Sequence, residues 1–135
     1  MTKFVVDAGA ALRLAATDTR LPDTHELLAP TLLRSQALSA MHEAVHRAEL
    51  SADVARERLV RLNRLKIRLL GDAVLRQVAW KIADELGWES TFAAEYVALT
   101  RLQGDFLVTL DDELARAVEG VVATAPFDAL LDPSA

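Results

Sequence analysis

Apolar residues in this chain fall in short blocks separated by polar, turn-forming segments, and the spacing inside the blocks alternates between two periods. FVVD (Phe4 to Asp7) is a run of β-formers ending in a carboxylate. It is too short for a helix and reads as a buried central strand. Ala8 to Ala15 then reads as a short helix and TDTRLPD as a turn. His25 to Leu28 reads as one helical turn, and LLAP (Leu27 to Pro30) as a short strand that Pro30 ends. From Thr31 to Ala48 the apolar residues Leu32, Leu33, Ala37, Leu38, Met41 and Val45 recur at helical spacing. Ser51 is a good N-cap for a second helix that runs to about Leu65, completing a helical hairpin. Ile67 to Asp72 reads as a strand and turn. Asp72 caps a helix that runs to about Leu86, with Gly87 placed to end it. Thr91 to Leu102 is a further helix, Phe106 to Asp111 (FLVTLD) a second strand that ends in Asp, and Asp112 to Val118 helical. The segment VVAT and the region near Pro126 supply a last strand and a loose tail.

The resulting order, β-α-β-α-α-β-α-α-β-α-β, implies an α/β fold with a small, mainly parallel sheet covered by helices on both faces. Residues 1–135 suffice for one domain and one core. Hydrophobic residues are 52% of the chain but aromatics only 5%, so the core is built from Leu, Val and Ala. There is no cysteine, which excludes disulfides, thiolate chemistry and Cys-ligated metals. MTKFVVDAGA lacks the character of a signal peptide and no run is long enough for a membrane span, so a cytoplasmic protein is expected. No Gly-rich phosphate loop is present. The net charge of -5 argues against indiscriminate nucleic-acid binding. Arg56, Arg58, Arg61, Arg64, Lys66 and Arg68 nevertheless form a local basic stretch.

Chemistry concentrates on Asp7 and Asp111. Each ends a short apolar strand, and in open α/β sheets ligands bind beyond the carboxyl ends of the strands. Two carboxylates brought together there raise each other's pKa unless a cation lies between them, and a hard ion such as Mg²⁺ or Mn²⁺ suits oxygen ligands. Each Asp is equally suited simply to cap the helix that follows it. Thr109, two residues before Asp111 on the same strand face, is placed to add a hydroxyl. His42 and His46 share a helix face without an evident third ligand.

FVVDAGAALR (Phe4 to Arg13), LLAPTLLRSQALSAM (Leu27 to Met41), LGWESTFAAEYVALT (Leu86 to Thr100) and FLVTLDDELARAV (Phe106 to Val118) together resemble a PIN domain, specifically the VapC-type toxins of bacterial toxin–antitoxin pairs. The resemblance implies a PIN-like three-layer fold with a protruding helical hairpin. It also implies an Mg²⁺- or Mn²⁺-dependent endoribonuclease, a homodimer, and inhibition by a cognate VapB-type antitoxin whose segment blocks the cleft. Two of the four family acids fall on Asp7 and Asp111, as direct metal ligands. The second falls on Gln36, which retains an amide oxygen able to orient water, and the third on Ala93, which has no ligand atom. Asp112, Glu95 and Glu43 are the acids near enough in sequence to compensate. RNA as substrate is implied by resemblance alone, with Arg34, Arg56, Arg61, Arg64 and Arg68 as candidate phosphate contacts. The missing acids open an alternative: a non-catalytic PIN-like module that binds RNA or an antitoxin.

Overall fold

Four short strands, all parallel, make one sheet in the order β3-β2-β1-β4. The computed structural model describes residues 1–135. β1 (Thr2–Val6) occupies the interior of the sheet, and Phe4, Val5 and Val6 are fully buried on both faces. This is the continuous apolar run expected of a parallel strand covered on both sides. β2 (His25–Pro30) pairs with β1 from Thr2↔His25 to Val5↔Leu28, and β3 (Ile67–Leu70) lies outside β2. β4 (Phe106–Val108) pairs on the other side of β1. Its start is pinned by Asp105, whose backbone N–H donates to Lys3 O and whose Oδ2 accepts from Lys3 N, both at 2.8 Å.

The connections set the layers. α1 (Ala8–Ala15) links β1 to β2, and the hairpin of α2 (Leu32–His46) and α3 (Ala52–Arg64) links β2 to β3. Both move in one direction across the sheet. α4 (Ala73–Leu86) and α5 (Phe92–Leu102) return the chain past β1 to β4. Right-handed crossovers therefore place the first three helices on one face and α4 with α5 on the other. α1, α2 and α3 pack on one another, while α5 lies against β1, β2 and β4 with α4 paired to it. Ser51 caps α3 through Val54 N (3.2 Å), and Asp72 caps α4 through Leu75 N (2.8 Å). Gly87 ends α4 at φ +69°. At Gly104 a Cβ would stand 2.7 Å from Val5 Cγ2 and 3.1 Å from Thr100 Cα, so this glycine allows the end of α5 to approach β1.

Three sequence expectations are corrected. His25 to Leu28 is not a helical turn: His25 begins β2, buried against the Phe4 ring (4.9 Å between centroids), with Nε2 hydrogen-bonded to Asp132 O at 2.7 Å. The expected last strand reduces to one bridge, Leu107↔Thr124, although Leu107 exchanges backbone hydrogen bonds with Ala123 and Ala125. The tail beyond it is not loose. It forms a 3-10 turn (Phe127–Leu131) that buries Phe127 and Leu130, with the Arg13 guanidinium 4.5 Å above the Phe127 ring. Of the apolar residues on the hairpin, Met41 and Leu62 are core and Leu32, Val45, Leu59 and Leu65 pack at its edge, leaving Leu38 61% exposed. No helix is long and apolar enough to cross a membrane.

Candidate functional site

The chain leaves β1 toward β2 on one side and reaches β4 on the other, so a crevice opens at the carboxyl ends of β1 and β4. This is the switch point where open α/β sheets place ligands. Asp7 stands at the end of β1 and Asp111 just beyond β4. Both cap the helix that follows: Asp7 Oδ1 accepts from Ala10 N at 2.9 Å, and Asp111 Oδ1 accepts from Glu113 N at 3.0 Å and Leu114 N at 3.2 Å in α6 (Asp112–Ala117). Capping and a place in the crevice are thus combined in the same two side chains. Thr109 joins them. Its hydroxyl donates to Asp7 Oδ2 and accepts from the Asp111 backbone N–H at 3.1 Å.

Burial pushes the Asp7 carboxyl up, and the charge of Asp111 adds to that shift; the hydrogen bonds from Thr109 and Ala10 partly oppose it. Asp7, Gln36, Glu43, Ala93 and Tyr96 line one cavity of about 530 Å³, with Phe92 at its rim and Ser39 and Ser90 on its walls. An adjoining cavity of about 470 Å³ carries Glu89, Asp111 and Glu113 and shares Ser90, Ala93 and Leu114 with the first. The two form one cleft. No Lys or Arg lines either part.

The part of the cleft wall that α5 supplies carries no charge, and Glu43 of α2 is the acid beside it. Tyr96, one turn after Ala93 on the same face of α5, donates its hydroxyl to Gln36 Oε1 at 2.6 Å. Burial, then the charges of Asp7 and Glu95, push the phenol well above its ordinary range, so it remains a donor. Tyr96 was not singled out in the sequence, although its spacing from Ala93 marks it as a cleft residue.

Among the acids nearest in sequence, Glu43 lines the cleft, while Asp112, which is exposed, and Glu95 line neither cavity. Burial raises the Glu95 carboxyl and the Arg76 guanidinium lowers it. The five candidate phosphate contacts lie away from the cleft. Arg56 pairs with Asp53 at 3.2 Å, Arg61 with Glu57 at 3.0 Å and Asp18 at 3.3 Å, and Arg68 with Glu26 at 3.7 Å. Arg34 borders a small apolar crevice of the hairpin, and Arg64 forms no ion pair.

A resident Mg²⁺ or Mn²⁺ needs several converging oxygen ligands. No group of three or more His, Asp or Glu side chains is placed to hold a metal ion. Asp7 and Asp111 stand at the switch point, joined by Thr109 through the Asp7 carboxylate and the Asp111 backbone N–H, Gln36 Oε1 is engaged by Tyr96, and Ala93 contributes no ligand atom. The donor set does not fit a tightly held ion.

No protein-family model matches the chain and no curated protein matches it. Among solved structures, the crystal structure of PAE2754 from Pyrobaculum aerophilum matches at 24% identity, with a TM-score of 0.74 over 96% of this chain and 93% of that one. That likeness is one of fold: a small parallel β-sheet in the order β3-β2-β1-β4 flanked by helices.

Proposed function

We propose that the protein is a PIN-like binding module whose cleft receives a cationic segment of a protein partner, as an antitoxin would supply, rather than hydrolysing RNA. One observation carries this reading: the cleft holds several dispersed carboxylates and no basic side chain. Asp7, Glu43, Glu89, Asp111 and Glu113 are too scattered to form a coordination shell, yet together they make a negative field. Such a field repels a phosphate backbone and attracts Lys or Arg. Phe92, 56% exposed at the rim, offers apolar contact beside it. Homodimerisation belongs to the same reading, with exposed Leu38 and Val60 on the hairpin as the apolar surface for a second copy.

A second reading, a weakened Mg²⁺- or Mn²⁺-dependent endoribonuclease, is favoured by the retained pair Asp7 and Asp111, linked through Thr109 at the switch point. In it Asp7 and Asp111 would hold the ion, whose chemistry is activation of water and neutralisation of charge on a scissile phosphate.

Calorimetry separates the two. Titration of the protein with MnCl₂ and with a short oligo-arginine peptide, each repeated on Asp7→Asn, is expected to give peptide binding that weakens in the variant and no saturable Mn²⁺ binding. Saturable Mn²⁺ binding that is lost in Asp7→Asn, together with metal-dependent cleavage of single-stranded RNA, would establish the nuclease instead.

A further inference from the structure

The outer face of α4 carries a feature that the cleft leaves unexplained. The inner face of this helix is core: Leu75, Ala79, Ile82 and Ala83 are buried. Trp80 points outward and is 66% exposed, although an indole is among the largest apolar groups a chain can bury. The other indole, Trp88, packs against the core. Arg76 and Gln77 lie one turn before Trp80, and Lys81 follows it. With Ala73 they line a shallow concavity of about 500 Å³.

Neither Arg76 nor Lys81 is in an ion pair within 4.0 Å, whereas Arg47, Arg56, Arg61 and Arg68 all are. Two acids stand nearby. Glu95 feels the Arg76 charge across the α4–α5 contact, and Asp84 is exposed one turn beyond Trp80. Neither lines the concavity. The surface therefore presents a flat π face, two free cations and one amide, with no carboxylate among its lining residues.

That combination selects among occupants. An apolar face of a second copy would strip water from two cations without pairing them, which is unfavourable. A small anion would gain nothing from the indole. An unpaired nucleobase stacks on indole whatever its identity, its neighbouring phosphates neutralise cations, and the amide of Gln77 has both a donor and an acceptor for a base edge. We propose that the outer face of α4 binds single-stranded nucleic acid, with one unpaired base stacked on Trp80 and the adjoining phosphates held by Arg76 and Lys81. This site is separate from the cleft, shares none of its lining residues, and stands whether or not the cleft binds a cationic partner.

The test uses the whole chain with Trp88→Phe, leaving Trp80 as the sole indole, titrated with single-stranded oligoadenylate and with a duplex of equal length at low salt. Saturable quenching by the single strand, and much weaker quenching by the duplex, is expected. By anisotropy of a labelled oligoadenylate on the otherwise unchanged chain, Trp80→Ala weakens binding roughly ten-fold or more while Trp80→Phe retains most of it. Arg76→Ala and Lys81→Ala each reduce the salt dependence of log K by about 0.7. Trp80, Arg76 and Lys81 are exposed and Trp88 is half-buried, and thermal melts monitored by circular dichroism check that each variant folds. The proposal is overturned if the oligonucleotide does not bind, if it binds equally well to Trp80→Ala, or if Trp80 emission changes with protein concentration alone, which would mean that a second copy covers the face.

Discussion

The two walls of the cleft are built on different terms. The sheet wall is a connected polar chain, Asp7 to Thr109 to Asp111, in which each group also serves the backbone of a strand end or helix start. In the helical wall Gln36, Ala93 and Tyr96 are neutral, Glu43 of α2 is the acid, and one side-chain hydrogen bond joins α2 to α5. The acids of the sheet wall double as helix caps, so only another capping side chain such as Asn can replace them without losing that hydrogen bond. The helical wall can be neutralised at no cost to the fold, because a helix interior needs no carboxylate. Asp7 and Asp111 are therefore present where they also cap helices, whereas positions 36 and 93, which the fold leaves free, carry no charge.

The largest expected effect comes from making the walls alike. Ala93→Asp combined with Gln36→Glu adds two carboxylates to the cleft, on the wall facing Asp7, and should raise Mn²⁺ affinity by at least ten-fold in calorimetry. Without metal the same protein should melt at a lower temperature, because like charges in a half-buried site repel. Unchanged metal affinity would show that the helical wall is too far from Asp7 to complete a coordination shell.

Severing each wall's own link comes next. Thr109→Val keeps the shape but removes a donor to Asp7 and an acceptor for Asp111 N, and should cost about 1–3 kcal/mol in urea unfolding. Tyr96→Phe breaks a single bond to Gln36, which retains access to water, and should cost about 0.5–1.5 kcal/mol. The reverse ranking would mean that the helical wall, not the sheet wall, is the more firmly held.

The smallest effect is a slope. The folded-state pKa of Asp7 lies above its unfolded value, so its contribution to stability is present below the unfolded value, near 3.8, and is lost as pH rises through the raised one. Asp7→Asn removes that slope while its amide oxygen can still cap α1. Urea midpoints at pH 3, 5 and 7 should shift in favour of the variant, relative to the parent, as pH rises. Parallel curves would mean that the pocket does not hinder ionisation.

β1 and β4 were legible in the sequence because an apolar run ending in Asp is a local signal, and the same signal brought Asp7 and Asp111 together. The capped helices α3 and α4 were legible through Ser51, Asp72 and Gly87. The start of β2 was misread because His25 is polar, and what buries it is the Phe4 ring and a carbonyl from Asp132, 107 residues away. The bond between Tyr96 and Gln36 spans 60 residues and has no local trace. The basic stretch after Arg56 was visible as composition, but its placement away from the cleft and its ion pairs follow from how α3 packs.

The tail that closes the amino ends of the strands has one more consequence. Thr2 Oγ1 donates to the carbonyl of Ala135 at 3.1 Å, at the end of the sheet remote from the cleft. A short linker joining residue 135 to residue 2 would therefore close the chain into a ring with little strain, and the ring could be reopened at the exposed turn between α2 and α3. Such a rearranged protein would carry its ends on the helical hairpin, freeing the opposite pole for attachment to a surface with the crevice facing outward.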